Sequence, residues 1–215
     1  MHVHQTSMEF TTWGGARAGA GRKPEGTRRN VAHVTRPEWN ARHPVHVTLR
    51  IVPGLESLRR RRTFRVVRDA ILAACERFGT RLVHFSVLSN HVHLICEVAD
   101  GSALSRAMKG LGVRLAKRLN GLWQRAGAVI ADRYHARALK TPREVRHALN
   151  YVLHNARLHG APFRGADPFS SGVWFEGWER IPYDDPLRTK CPLPQARTWL
   201  LSMGWKRHGP IAFAR

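Results

Sequence analysis

The chain has 215 residues, 43% of them hydrophobic, enough for one buried core with tails and too few for several full-size domains. Lysine and arginine number 36 against 15 acidic residues, a formal net charge of +21, and self-repulsion on that scale points to a polyanionic partner, nucleic acid before a membrane surface. The composition excludes a bilayer span, for want of about 18 consecutive apolar residues. It also lacks a signal-peptide core and any Cys-x-x-Cys motif, since Cys75, Cys96 and Cys191 lie far apart and read as small hydrophobes. A cytoplasmic protein is expected, associated with the nucleoid if its partner is DNA.

Residues 1–42 are rich in Gly, Arg, Thr and Pro without a period and read as an unstructured basic arm. Within it Trp13-Gly14-Gly15-Ala16-Arg17-Ala18-Gly19-Ala20-Gly21-Arg22-Lys23-Pro24 ends like the core of an AT-hook. Glycines let the backbone lie close to a surface while Arg17, Arg22 and Lys23 meet phosphates or a narrow minor groove. Val45 to Val52 alternates and is β-branched, hence a strand ended by Pro53-Gly54. From Ser57 to Phe78 the apolar residues Phe64, Val67, Ile71, Ala74 and Phe78 recur at helical spacing. Arg59, Arg60, Arg61 and Arg62 crowd the start of that helix, where positive charge opposes the dipole. Contacts to DNA phosphates explain them better.

Two strands follow, Leu82 to Leu88 and a partner running to Val98, joined by a tight Ser89-Asn90 turn. In the second strand Val92, Leu94, Cys96 and Val98 share one face, while His91 and His93 share the other. Two imidazoles at that spacing on rigid backbone can grip one metal ion. His-x-His alone is a weak signal, and His2-Val3-His4 repeats it in unpatterned sequence. A second amphipathic helix covers roughly Ser102 to Trp123, with Leu104, Met108, Leu111, Leu115, Leu119 and Leu122 as its buried stripe. Arg106, Lys109, Arg114, Lys117 and Arg118 fill its other face, and the last three are candidate DNA contacts. Val129 to Leu139 reads as a fourth strand. Thr141-Pro142-Arg143-Glu144 then opens a third helix with an N-cap, a first-turn proline and a capping box, and Gly160 stops it. Residues 161–215 are irregular, with a short helix near Ala196 to Met203.

The order strand, helix, strand, strand, helix, strand is the α+β, ferredoxin-like βαββαβ arrangement, an antiparallel sheet with two helices on one face. His91 and His93 then lie on the open face, and the third helix is free to pack across it. On that helix Tyr151 and Asn155 stand one turn apart. Of the chain's three tyrosines, only Tyr151 is followed one turn on by an asparagine.

Asn90-His91-Val92-His93-Leu94-Ile95 resembles the histidine–hydrophobe–histidine motif of single-tyrosine HUH transposases. Ala148-Leu149-Asn150-Tyr151-Val152-Leu153-His154-Asn155 resembles their tyrosine helix, and is most similar to that of the REP-associated tyrosine transposases. The likeness covers residues 43–160, taken as the catalytic domain. Leu88-Ser89 stands where the family often has Met-Pro, and Asn155-Ala156-Arg157 where many relatives have Asn-Pro-Val. The resemblance implies cleavage and rejoining of single-stranded or hairpin DNA through a 5′-phosphotyrosine on Tyr151. It further implies a divalent ion, Mg2+ or Mn2+, held by His91, His93 and Asn155, and a protein acting as monomer or homodimer. Other readings compete: an idle histidine pair on a basic nucleic-acid-binding protein, a zinc or manganese hydrolase using water with His84, His91 and His93 among its ligands, and a replication-initiation or relaxase nuclease sharing the tyrosine chemistry.

Overall fold

The computed structural model describes residues 39–158, 165–180 and 190–212. Arg17, Arg22, Lys23 and the expected helix stop at Gly160 lie outside them. Strand β1 (Val45–Arg50) is the centre of the sheet, because Val45, Val47 and Leu49 bury themselves against helices while the alternate residues face the other way. It pairs antiparallel with β4 (His91–Val98) on one side and β5 (His135–Ala138) on the other. Strand β3 (Thr80–Val87) continues the sheet beyond β4, and a two-residue strand β2 (Glu76–Arg77) forms its far edge, giving the order β2-β3-β4-β1-β5. Apart from the added edge this is the ferredoxin-like order expected. The Ser89-Asn90 turn joins β3 to β4, held by Leu88 N–H donating to the His91 carbonyl at 2.9 Å.

Helices α1 (Arg61–Leu72) and α2 (Gly101–Leu122) cover one face. Their stripes, Val67 and Ile71 on α1 and Leu104, Met108, Leu111, Leu115 and Leu119 on α2, meet Val47, Phe85, Val92, Leu94 and Cys96 in the main core. Asp100 caps α2 by accepting from Ala103 N–H at 2.7 Å. Helix α1 is shorter at both ends than its periodicity suggests. At the start, Leu58 N–H is drawn to the Ser89 carbonyl (2.8 Å) and Ser57 to Arg60 form a turn. At the end, Cys75 to Arg77 are taken by the sheet: the Cys75 carbonyl accepts from Leu82 N–H (2.7 Å) and Glu76 pairs with Arg81. Phe78 is therefore not a helical core residue. With Gly79 it makes the β2–β3 turn, their φ values of 56° and 72° being the left-handed pair a type I′ turn needs.

The fourth strand is also shorter than expected. Asp132 Oδ1 accepts from Arg133 N–H at 2.6 Å, a local bond that breaks the ladder, so Ile130 makes only an isolated bridge to Ile51 before β5 begins.

Helix α3 (Pro142–Leu158) crosses the other face. Its capping box is complete: Glu144 N–H donates to Thr141 Oγ1 (3.2 Å) and Thr141 N–H to Glu144 Oε2 (3.1 Å). Val145, Leu149 and Val152 pack on Val83 and Ile95 of the sheet, and a second core closes over them with Phe175, Trp178, Leu200, Leu201 and Trp205. A bulge in β3 between Leu82 and His84 lets Val83 face this core while Leu82 and Phe85 face the first. The described C-terminal residues contribute a short 3-10 turn (Ser171–Trp174), helix α4 (Trp199–Ser202), which lies within the stretch expected to hold a short helix, and a second 3-10 turn (Gly204–His208).

Candidate active site

The register between β1 and β4 sets the site. Thr48 stands opposite His93 and Arg50 opposite His91, and His46 and Thr48 share the sheet face of the histidine pair. The His91 and His93 rings lie 4.8 Å apart, nearly perpendicular. His91 is half-buried and its Nδ1 is 2.7 Å from Asn90 Oδ1. An amide oxygen only accepts, so Nδ1 is the donor of that bond. His93 is 4% exposed, and its Nδ1 is 3.1 Å from both His46 Nε2 and Thr48 Oγ1. His46 stays uncharged: burial, then the charges of His135 and Arg137, lower its pKa from 6.5 to about 4.

Tyr151 reaches this group from α3. Its ring centroid lies 5.3 Å from that of His93 and 6.0 Å from that of His46, both edge-on, and the side chain is 41% exposed. Tyr134, by contrast, sends its hydroxyl to Ser105 of α2 (3.2 Å) and packs on the main core. Asn155, one turn beyond Tyr151, is 0% exposed, and neither its amide oxygen nor its nitrogen has a hydrogen-bond partner among the described residues. Leaving such a buried group unsatisfied costs about 1–3 kcal/mol. Imidazole nitrogens and an amide oxygen are donor types that a hard or borderline divalent ion accepts.

The structure does not assemble the hydrolase alternative. Among the described residues no group of three or more His, Cys, Asp or Glu side chains could hold a metal. His84 instead packs edge-on against Phe175 (5.5 Å) with its Nδ1 3.4 Å from Ser171 Oγ. His154 is likewise structural, bonded to the Asn150 carbonyl at 3.0 Å and packed on Trp178.

The basic residues divide. Arg60, Arg61, Arg62, Lys117 and Arg118 are exposed and Arg114 half-buried, all on the α1–α2 side of the sheet, away from Tyr151. Arg59 is not free to meet a phosphate. Its guanidinium makes two bonds to Asp167 (2.8 and 2.9 Å), a third to the Val87 carbonyl (2.9 Å), and covers the Phe169 ring at 4.3 Å. That arginine ties the C-terminal region to the start of α1.

His46 and Thr48 are the site residues the sequence reading missed. Their phase was visible, since Val45, Val47 and Leu49 point to the helices, but the register that puts them beside His93 was not.

Neither a protein-family model nor a curated protein sequence matches the chain. Among solved structures, a REP-associated tyrosine transposase bound to a REP hairpin superposes with a TM-score of 0.55 at 15% identity, covering 78% of this chain and 99% of that one. The likeness establishes a shared fold. A crystal structure of a proposed transposase from Deinococcus radiodurans R1 aligns at TM-score 0.39 and 14% identity, over 57% of this chain and 94% of that one. No helix among the described residues is long and apolar enough to cross a membrane.

Proposed function

We propose that this chain is a single-tyrosine transposase that cuts and rejoins single-stranded DNA next to a hairpin. The observation that carries the proposal is Tyr151, exposed on α3 with its ring 5.3 Å from His93. The Tyr151 oxygen attacks the scissile phosphorus, forming a P–O bond as the bond to the 3′ oxygen breaks; the phenolic proton passes to solvent and the leaving oxygen takes one up. The product is a 5′-phosphotyrosine and a free 3′-OH, and reversal with a different 3′-OH joins new ends. The bond energy stays in the phosphodiester, so no nucleotide cofactor is needed.

Phenols are weak nucleophiles at neutral pH, and a divalent ion, magnesium or manganese, held by His91, His93 and Asn155 would polarise the phosphate and neutralise charge on its oxygens. His46 and Thr48 hold the Nδ1 edge of His93, which would leave Nε2 as its ligand atom. Arg60, Arg61, Arg62, Arg114, Lys117 and Arg118, with Arg17, Arg22 and Lys23 of the N-terminal arm, supply sequence-independent attraction to the DNA backbone. The protein works as a monomer or as a homodimer, in the cytoplasm at the nucleoid.

The test is incubation with a labelled hairpin carrying single-stranded flanks and Mn2+ or Mg2+. Cleavage is expected, abolished by Tyr151→Phe and by chelator. Cleavage that survives Tyr151→Phe would mean that water is the nucleophile, and binding without cleavage under any metal would leave a DNA-binding protein only.

A further inference from the structure

Trp199, at the start of α4, is the only exposed tryptophan among the described residues, with 50% of its surface accessible. Its position is firmly held. The carboxylate of Glu97 on β4 accepts Arg197 N–H (2.8 Å), Thr198 N–H (2.6 Å) and the Thr198 hydroxyl (2.8 Å), fixing the start of α4 to the sheet. The Arg207 guanidinium stacks on the indole at 4.8 Å from the ring centroid. Gly204 lies against the benzo edge, where a Cβ would come within 2.8 Å of Cζ3, so a glycine leaves room for the ring.

Beside the indole opens a cleft of about 570 Å³ lined by Ala41, Arg42, His43, Arg197, Thr198, Trp199 and Leu200. Arg207 is not among the lining residues, so it braces the ring from outside the cleft. The lining holds two guanidinium groups, Arg42 and Arg197, and no carboxylate. A rigid, solvent-facing indole flanked by two guanidinium groups with no ion-pair partner among the described residues is a surface for a flat, π-faced, anionic partner. It is also aligned with the candidate active site. Glu97 and His93 share one face of β4, four residues apart, or about 13 Å at ~3.3 Å per residue.

We propose that this cleft binds one unpaired nucleobase of a single-stranded nucleic acid, stacked on Trp199, with Arg42 and Arg197 holding the flanking phosphates. The site shares the single-stranded substrate of the function proposed above, and it needs neither Tyr151 chemistry nor a metal. It would hold the strand at a second point, away from the tyrosine, and so set its path across the sheet face.

Binding is therefore measured in full-length Tyr151→Phe protein with chelator present, by fluorescence anisotropy of a labelled oligothymidylate, the same strand with abasic sites, and a blunt duplex. Trp199→Ala should weaken oligothymidylate binding roughly 5- to 100-fold, leave abasic-strand and duplex binding unchanged, and keep the melting temperature. Trp199→Phe should restore most of the affinity, and Arg42→Ala with Arg197→Ala should lower the salt dependence. Wild-type affinity of Trp199→Ala for oligothymidylate would overturn the proposal, as would an equal loss for the duplex, or preference for an aromatic peptide over the oligonucleotide. A missing covalent adduct would count against the transposase reading and leave this site standing.

Discussion

Replacing His46 by phenylalanine keeps a ring of similar size and removes one nitrogen, the Nε2 that stands 3.1 Å from His93 Nδ1. If His46 holds His93 with Nε2 turned to the ligand, the variant should bind Mn2+ more weakly without unfolding. One neutral hydrogen bond is worth about 0.5–1.5 kcal/mol, a loss of roughly 2- to 12-fold in affinity, while removing a partner that orients a metal ligand costs roughly 10- to 100-fold. Thr48 Oγ1 sits at the same 3.1 Å from the same nitrogen, so the single variant should fall where these ranges meet, about 10-fold. The double variant His46→Phe/Thr48→Val should approach 100-fold, with the two effects coupled rather than additive. Titration of Mn2+ by calorimetry in the Tyr151→Phe background reads affinity without turnover. An unchanged affinity in the double variant, with an unchanged melting temperature, would show that the pair does not position His93.

Asp167→Ala should cost about 3–5 kcal/mol in urea denaturation, because it strands the mostly buried Arg59 guanidinium; a loss below about 1 kcal/mol would mean the pair is idle. Stability should also fall with acid. Burial lowers the pKa of both His46 and His84 from 6.5 to about 4, so the folded state resists protons that the unfolded chain accepts. The contribution is complete above pH 6.5 and is lost as pH falls towards 4, up to about 3 kcal/mol for each. Denaturation at pH 7, 5.5 and 4.5 should show that slope, and His84→Gln should remove part of it; a flat wild-type profile would contradict the assignment. Glu144→Ala removes the acceptor of Lys140 and Thr141 N–H and the partner of Arg137. It should destabilise α3 by about 1–2 kcal/mol, measurable as a lower melting temperature, with Glu144→Gln losing less.

Local chemistry was legible where it acted alone. Thr141-Pro142 and Glu144 marked the start of α3 because a cap, a first-turn proline and a capping box all lie within four residues. The alternation of β1 and β4 assigned faces correctly, since period two does not depend on partners. What failed was long-range competition. Ala74 and Phe78 keep helical phase, yet the chain between them pairs with β3, an event no periodicity encodes. Arg59 reads as one of four surface cations, but its partner Asp167 is 108 residues away. The second core draws Phe175, Trp178 and Trp205 from a stretch without periodic pattern, so neither it nor the exposed indole of Trp199 could be read from spacing.

The central claim is that the Tyr151 oxygen forms a bond to DNA. Trapping the protein on a single-stranded hairpin substrate with Mn2+, digesting it and sequencing the modified peptide by mass spectrometry tests this directly. A nucleotide attached through its 5′ phosphate to Tyr151 is the result expected. An adduct on Tyr134 or Tyr183, or cleaved DNA with no adduct, would contradict the account.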